Sequence, residues 1–98
     1  MSGLTLEVVT PRGGFLREED VTEVVVRRRE ARFDPGSEVA VLPSHAPMLV
    51  NLASCRVRYT KRGRVRQLQV HGGFVEVRQN VVTVLTPAAE RVDDAPTR

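Results

Sequence analysis

Tryptophan is absent, and aromatic residues make up 4% of the chain: one tyrosine and three phenylalanines. A surface that stacks unpaired nucleic-acid bases needs exposed rings, and here there are only Phe15, Phe33, Tyr59 and Phe74, some of which the core must claim. There is one cysteine, Cys55. It has no partner for an internal disulfide or a thiolate metal site, and reads as a small buried hydrophobe. No apolar run approaches the roughly 20 residues of a membrane-spanning helix, and the N-terminus lacks the basic-then-apolar layout of a secretory signal. The expectation is a soluble, cytoplasmic protein. The two histidines, His45 and His71, stand near no carboxylate or cysteine at ligand spacing, which speaks against zinc or calcium.

What is present describes one small body. At 98 residues the chain has room for one modest core. Its hydrophobic and charged fractions, 41% and 28%, are those of an ordinary globular domain. Fifteen Lys and Arg oppose twelve Asp and Glu, for a net charge of +3. That mild excess favours an acidic partner or an anionic surface without identifying one.

Periodicity points to strands. Leu4, Leu6 and Val8 alternate in a segment that stops at Pro11 and Gly13-Gly14. Short strands are expected next at Phe15 to Arg17 and at Val21 to Arg27, where Val24-Val25-Val26 is poorly suited to a helix. Asp34-Pro35-Gly36-Ser37 reads as a turn. Val39 to Leu42 and Met48 to Leu52 flank a loop shaped by Pro43 and Pro47. Cys55 to Thr60 and Arg64 to Val70 form a hairpin across Lys61-Arg62-Gly63. Phe74 to Arg78 and Val81 to Leu85 form another across Gln79-Asn80. The sum is an all-β domain of nine to ten short strands, a sandwich or a barrel by pattern alone. Residues 1–86 form this body. Residues 87–98 read as a short frayed tail in which Ala88 to Arg91 open at most one helical turn.

Catalytic signatures are missing. Ser44-His45 is a neighbouring pair with no nucleophile-elbow glycines around it. Neither Gly13-Gly14 nor Gly72-Gly73 precedes a helix that would cradle phosphate. The consecutive carboxylates Glu18-Glu19-Asp20 read as a solvated surface turn. No catalytic residue, metal ligand or cofactor site is expected. One alternative deserves weighing: Arg27-Arg28-Arg29 and the hairpin group Arg56, Arg58, Lys61, Arg62, Arg64 and Arg66 would suit a small basic β-barrel that binds single-stranded nucleic acid. That reading requires Arg56, Arg58 and Arg66 to converge beside an exposed aromatic. The competing reading, a part of a larger assembly, requires an apolar or mixed patch on one sheet.

Four stretches, in order, resemble the epsilon subunit of F-type ATP synthases. They are Leu6 to Pro11, Leu42-Pro43-Ser44-His45-Ala46-Pro47-Met48-Leu49, Gly72-Gly73-Phe74-Val75-Glu76-Val77, and Asn80 to Leu85. The second matches a family motif of the form Leu-Pro-Gly-His-Ala-Pro-Leu-Leu, and the third a motif Gly-Gly-Phe-Val-Glu-Val. The resemblance implies a β-sandwich of two mostly antiparallel sheets in the central stalk, without an active site or cofactor, bound to the gamma subunit and resting on the c-ring. It implies a place on the cytoplasmic face of the membrane, through the complex only, with no nucleic-acid partner.

Carried over by position, Glu38 and His45 are the expected c-ring contacts. The plainer alternative is that Pro43 and Pro47 shape a turn that His45 caps. Ser44 stands where the family usually has Gly, and Ala40 where Gly commonly precedes the motif, so this backbone lacks glycine's freedom. The 27–37 segment exceeds the family's usual length. Family members commonly continue past a segment like Pro87 to Arg91 into a helical hairpin that binds ATP and inhibits hydrolysis; the chain ends at Arg98, and that regulation is expected to be absent.

Overall fold

A computed structural model describes residues 3–30 and 37–92. All but Ser37 of the turn expected at residues 34–37, most of the long 27–37 segment and the final six residues lie outside the described part. Among the described residues seven strands run in chain order: β1 (Leu4–Thr10), β2 (Gly13–Arg27), β3 (Glu38–Val41), β4 (Met48–Lys61), β5 (Arg64–Arg78), β6 (Val81–Leu85) and β7 (Ala89–Arg91). Among the described residues there is no helix.

The strand count corrects the nine to ten short strands expected, and the reason is continuity through bends. Three breaks inferred from sequence, near Asp20, at Ala53-Ser54 and at His71-Gly72-Gly73, fall inside β2, β4 and β5. Glu18-Glu19-Asp20 is therefore no turn. β2 carries a bulge there, with Asp20 at φ 59° and a register shift against β1. A bulge inserts a residue and bends a strand without ending it.

These long strands each serve two layers. In one layer the pairing order is the first half of β2, then β1, β6, the second half of β5 and the first half of β4. In the other it is β3, the second half of β2, the second half of β4, the first half of β5 and β7. Among the described strands, β1–β6 is a parallel pair and the other pairs are antiparallel. Strands that cross between layers through bends are a known way of closing the corners of a sandwich. Ala89–Arg91, read from sequence as the start of a helical turn, instead adds strand β7 beside Leu68–Val70. Its backbone finds partners on an open strand that local helical propensity could not outweigh.

Both layers line a single core. Leu4, Leu6, Val8, Leu52, Val75, Val77, Val82 and Val84 come from the first; Val21, Val24, Val26, Val41, Val57, Tyr59, Leu68 and Val70 come from the second. In β5 the core-facing positions switch from Val75 and Val77 to Leu68 and Val70, an odd-to-even change made at Gly72 and Gly73, whose φ values are 80° and 109°. β4 makes the same switch between Leu52 and Val57, so pairing between the two strands stays in register throughout.

Candidate docking surfaces

Glu38 and His45 flank β3 from opposite ends, with about 10 Å of strand between Glu38 and Val41. The structure does not gather them into one cluster. Glu38 is exposed at the start of β3, opposite Arg27 of β2. Its carboxylate accepts two hydrogen bonds from the Arg58 guanidinium, at 3.3 and 3.4 Å. An exposed pair of this kind is worth only about 0–1 kcal/mol, so an incoming cation can take the carboxylate at little cost. Cys55 sits half-buried on the adjoining stretch of β4 and packs against the core. Burial pushes its thiol pKa up, while a hydrogen bond from the Arg27 backbone and nearby arginine charge pull the other way.

His45 lies in the loop that carries the chain from β3 to β4. Its backbone N–H donates to the Leu42 carbonyl at 3.1 Å. Its Nδ1 faces the Ala46 carbonyl at 2.7 Å, a contact that requires the proton on Nδ1 and leaves Nε2 as the ring's remaining polar atom. His45 therefore does cap its own turn. Ser44, in glycine's usual place, adopts φ 70° nonetheless. The turn between β5 and β6 abuts this loop. Gln79 and Asn80 have φ 51° and 64°, the two left-handed residues of a type I′ hairpin turn.

A second surface lies on the outer side of the first layer. Registration places Val9, Leu85, Phe74 and Asn51 in one cross-strand row, and Glu7, Thr83, Glu76 and Leu49 in the next. Phe74 and Leu85 are directly paired, 50% and 47% exposed, and Leu49 is 69% exposed. Phe74 and Leu85, together with Val9, Pro11 and Pro87, border an open apolar depression of about 440 Å³. Composition alone does not say which aromatics the core claims, and Phe74 is not one of them. The signal for this was present in Phe74-Val75-Glu76-Val77, where Val75 and Val77 claim the core and alternation sends Phe74 outward with Glu76.

Lys61, Arg62, Arg64 and Arg66 border one depression with Glu18 and buried Tyr59, but Arg56, Arg58 and Arg66 do not converge. In the hairpin of β4 and β5, Arg56 and Arg58 alternate with buried Val57 and Tyr59 and so face outward. Arg66 is opposite Tyr59 in register and on the same side as Leu68, which is the inner side at the mouth of the sandwich. Tyr59 is 3% exposed. The required meeting of Arg56, Arg58 and Arg66 with an exposed ring is absent, and the nucleic-acid reading is not supported. Among the described residues, no three His, Cys, Asp or Glu side chains stand together as metal ligands would, and no helix is long and apolar enough to cross a membrane.

Residues 3–92 match the family described as "ATP synthase, Delta/Epsilon chain, beta-sandwich domain". The chain belongs to this family. An ATP synthase epsilon chain of Desulfitobacterium hafniense is 43% identical over 94 residues, covering 91% of this chain and 64% of the relative. One from Pelotomaculum thermopropionicum is 40% identical over 89 residues, covering 91% and 61%. The chain thus spans somewhat under two thirds of the length of these family members. Among solved structures, a chain of the Euglena gracilis mitochondrial ATP synthase (OSCP/F1/c-ring) superposes with a TM-score of 0.79 at 22% identity, over 93% of this chain and 54% of that one. A chain of the Tetrahymena thermophila mitochondrial ATP synthase (central stalk/c-ring) gives 0.70 at 12% identity, over 90% and 66%. At such identities the likeness is one of fold, and it supports the two-layer sandwich of the family.

Proposed function

We propose that this domain is a non-catalytic central-stalk part of an F-type ATP synthase, of the epsilon kind. The apolar outer face of the first layer docks on gamma, and the end bearing the His45 loop rests on the c-ring. In this role it helps couple ion movement to ATP synthesis, and it meets the membrane on its cytoplasmic side only through the complex. The observation that carries the reading is family membership across residues 3–92, joined to an apolar row in which Phe74 and Leu85 are exposed beside half-buried Val9, on a domain of this size. A patch of this kind marks a docking surface. The two surfaces are separate: β6 puts about 13 Å of strand between Leu85 and the turn beside the His45 loop. A rotor part held between two partners needs such separation. Glu38, held by Arg58 at low cost, is a third point of contact for a basic group of the ring.

The test is co-purification of the tagged chain with synthase subunits from its own cells, with nuclease in the buffer. Gamma and c subunits are expected with the wild type. His45→Ala and Glu38→Ala are each expected to reduce recovery of c while gamma is retained. Recovery of neither subunit would overturn the stalk reading. Unchanged recovery of c with both variants would remove these two residues from the ring contact.

A further inference from the structure

Ser44 holds a left-handed backbone, φ 70°, without being glycine. A side chain makes that conformation unfavourable, and Ser gains less local compensation there than Asn or Asp. The turn that His45 N–H closes on the Leu42 carbonyl, with Pro43 at its first central position, favours positive φ at Ser44, and a contact from outside the loop adds to it. The Ser44 backbone N–H points at Asn80, whose Oδ1 accepts at 2.7 Å. Because a backbone N–H can only donate, the oxygen of the amide has to face it. Asn80 is itself fixed from two sides: it is the second central residue of the β5–β6 turn, and its carbonyl accepts from Thr5 N–H of β1 at 2.8 Å. The next residue of the loop, His45, then closes onto Leu42 and Ala46.

We propose that Asn80 is the positioning residue of the His45 loop. It clamps Ser44 in the conformation that glycine would take unaided, so that the loop, the β5–β6 turn and the start of β1 present one rigid end to the c-ring. The inference rests on the stalk reading for its partner, but not for the clamp itself. Asn80 touches the loop and needs no contact with the ring.

The test uses Asn80→Gly, which removes the acceptor and leaves the turn intact, since glycine is favoured at φ 64° in a type I′ turn. In the free chain, NMR exchange of the residue-44 amide is expected to accelerate about three- to tenfold, as for loss of one hydrogen bond. Affinity for a detergent-solubilised c-ring carrying gamma, purified from the same cells, is expected to fall by about the same factor. Asn80→Asp, which keeps the acceptor, should restore both. Ser44→Gly in the Asn80→Gly background should restore affinity alone, because glycine needs no clamp. Unchanged amide exchange in Asn80→Gly would overturn the clamp, and accelerated exchange with unchanged affinity would overturn its role in docking. If the wild type fails to bind the ring, the stalk reading and the docking role fall together, and the exchange data still decide the clamp.

Discussion

A Cβ placed on Gly73 would lie 1.9 Å from the Leu85 carbonyl oxygen and 2.9 Å from the Leu85 carbonyl carbon and the Thr86 Cα. All three are backbone atoms of the neighbouring chain segment, so no side-chain rotation relieves the overlap. Gly72, one residue earlier, also has a positive φ, but its nearest neighbour would be the Leu52 carbonyl oxygen at an ordinary 3.7 Å. The pair separates two costs that sequence alone merges. Gly72→Ala carries the conformational term, about 1–2 kcal/mol. Gly73→Ala carries that term plus a clash at the point where β5 changes its core-facing side, and is expected to cost at least about 4 kcal/mol or prevent folding. Urea unfolding of the two variants checks this. Equal midpoints would show that the chain relaxes around Gly73.

At the scale of elements, strand existence was legible from alternation and strand continuity was not. Alternation in Leu4-Leu6-Val8 or Val82-Val84 reports which side faces the core, and these strands were read correctly. A bend that changes the core-facing side looks like an ending when viewed one strand at a time. His71-Gly72-Gly73 interrupts the pattern of β5, yet its pairing with β4 continues across the bend. Only the partner strand, whose own switch near Ala53-Ser54 matches, shows that the two halves are one. β7 was illegible for a related reason: three residues carry little pattern, and their state is set by the open strand they meet.

Thr86 joins that strand to the bend. It is 4% exposed; its hydroxyl donates to the Ala88 carbonyl at 3.0 Å and accepts from His71 N–H at 3.2 Å. Thr86→Val preserves shape and removes both bonds. The His71 N–H keeps the Ala88 carbonyl as an acceptor, at 3.2 Å, so no donor is orphaned. The expected cost is about 1–2 kcal/mol, concentrated locally. Amide exchange should accelerate in β7 well before the interior of β1 or β6, and Thr86→Ser should restore protection. Uniform acceleration would mean that β7 does not open as a separate unit.

For the whole molecule, the candidate site was legible as a loop and illegible as a surface. Motif positions located Glu38 and His45, but their separation along β3, the clamp on Ser44 and the apolar row across β1, β6 and β5 depend on register, which links residues far apart in sequence. That row now gives the sharpest test of assembly. Phe74 and Leu85 project from strands whose alternate residues fill the core, so replacing them removes surface and leaves packing in place. The double variant Phe74→Thr, Leu85→Thr keeps strand-favouring residues, and its stability in urea should stay within about 1 kcal/mol of wild type. Central apolar residues dominate the affinity of protein interfaces. If this face docks on gamma, the same variant should bind gamma at least about 100-fold more weakly, by the loss of two hot-spot side chains. Unchanged binding with unchanged stability would move the gamma contact to another face of the sandwich.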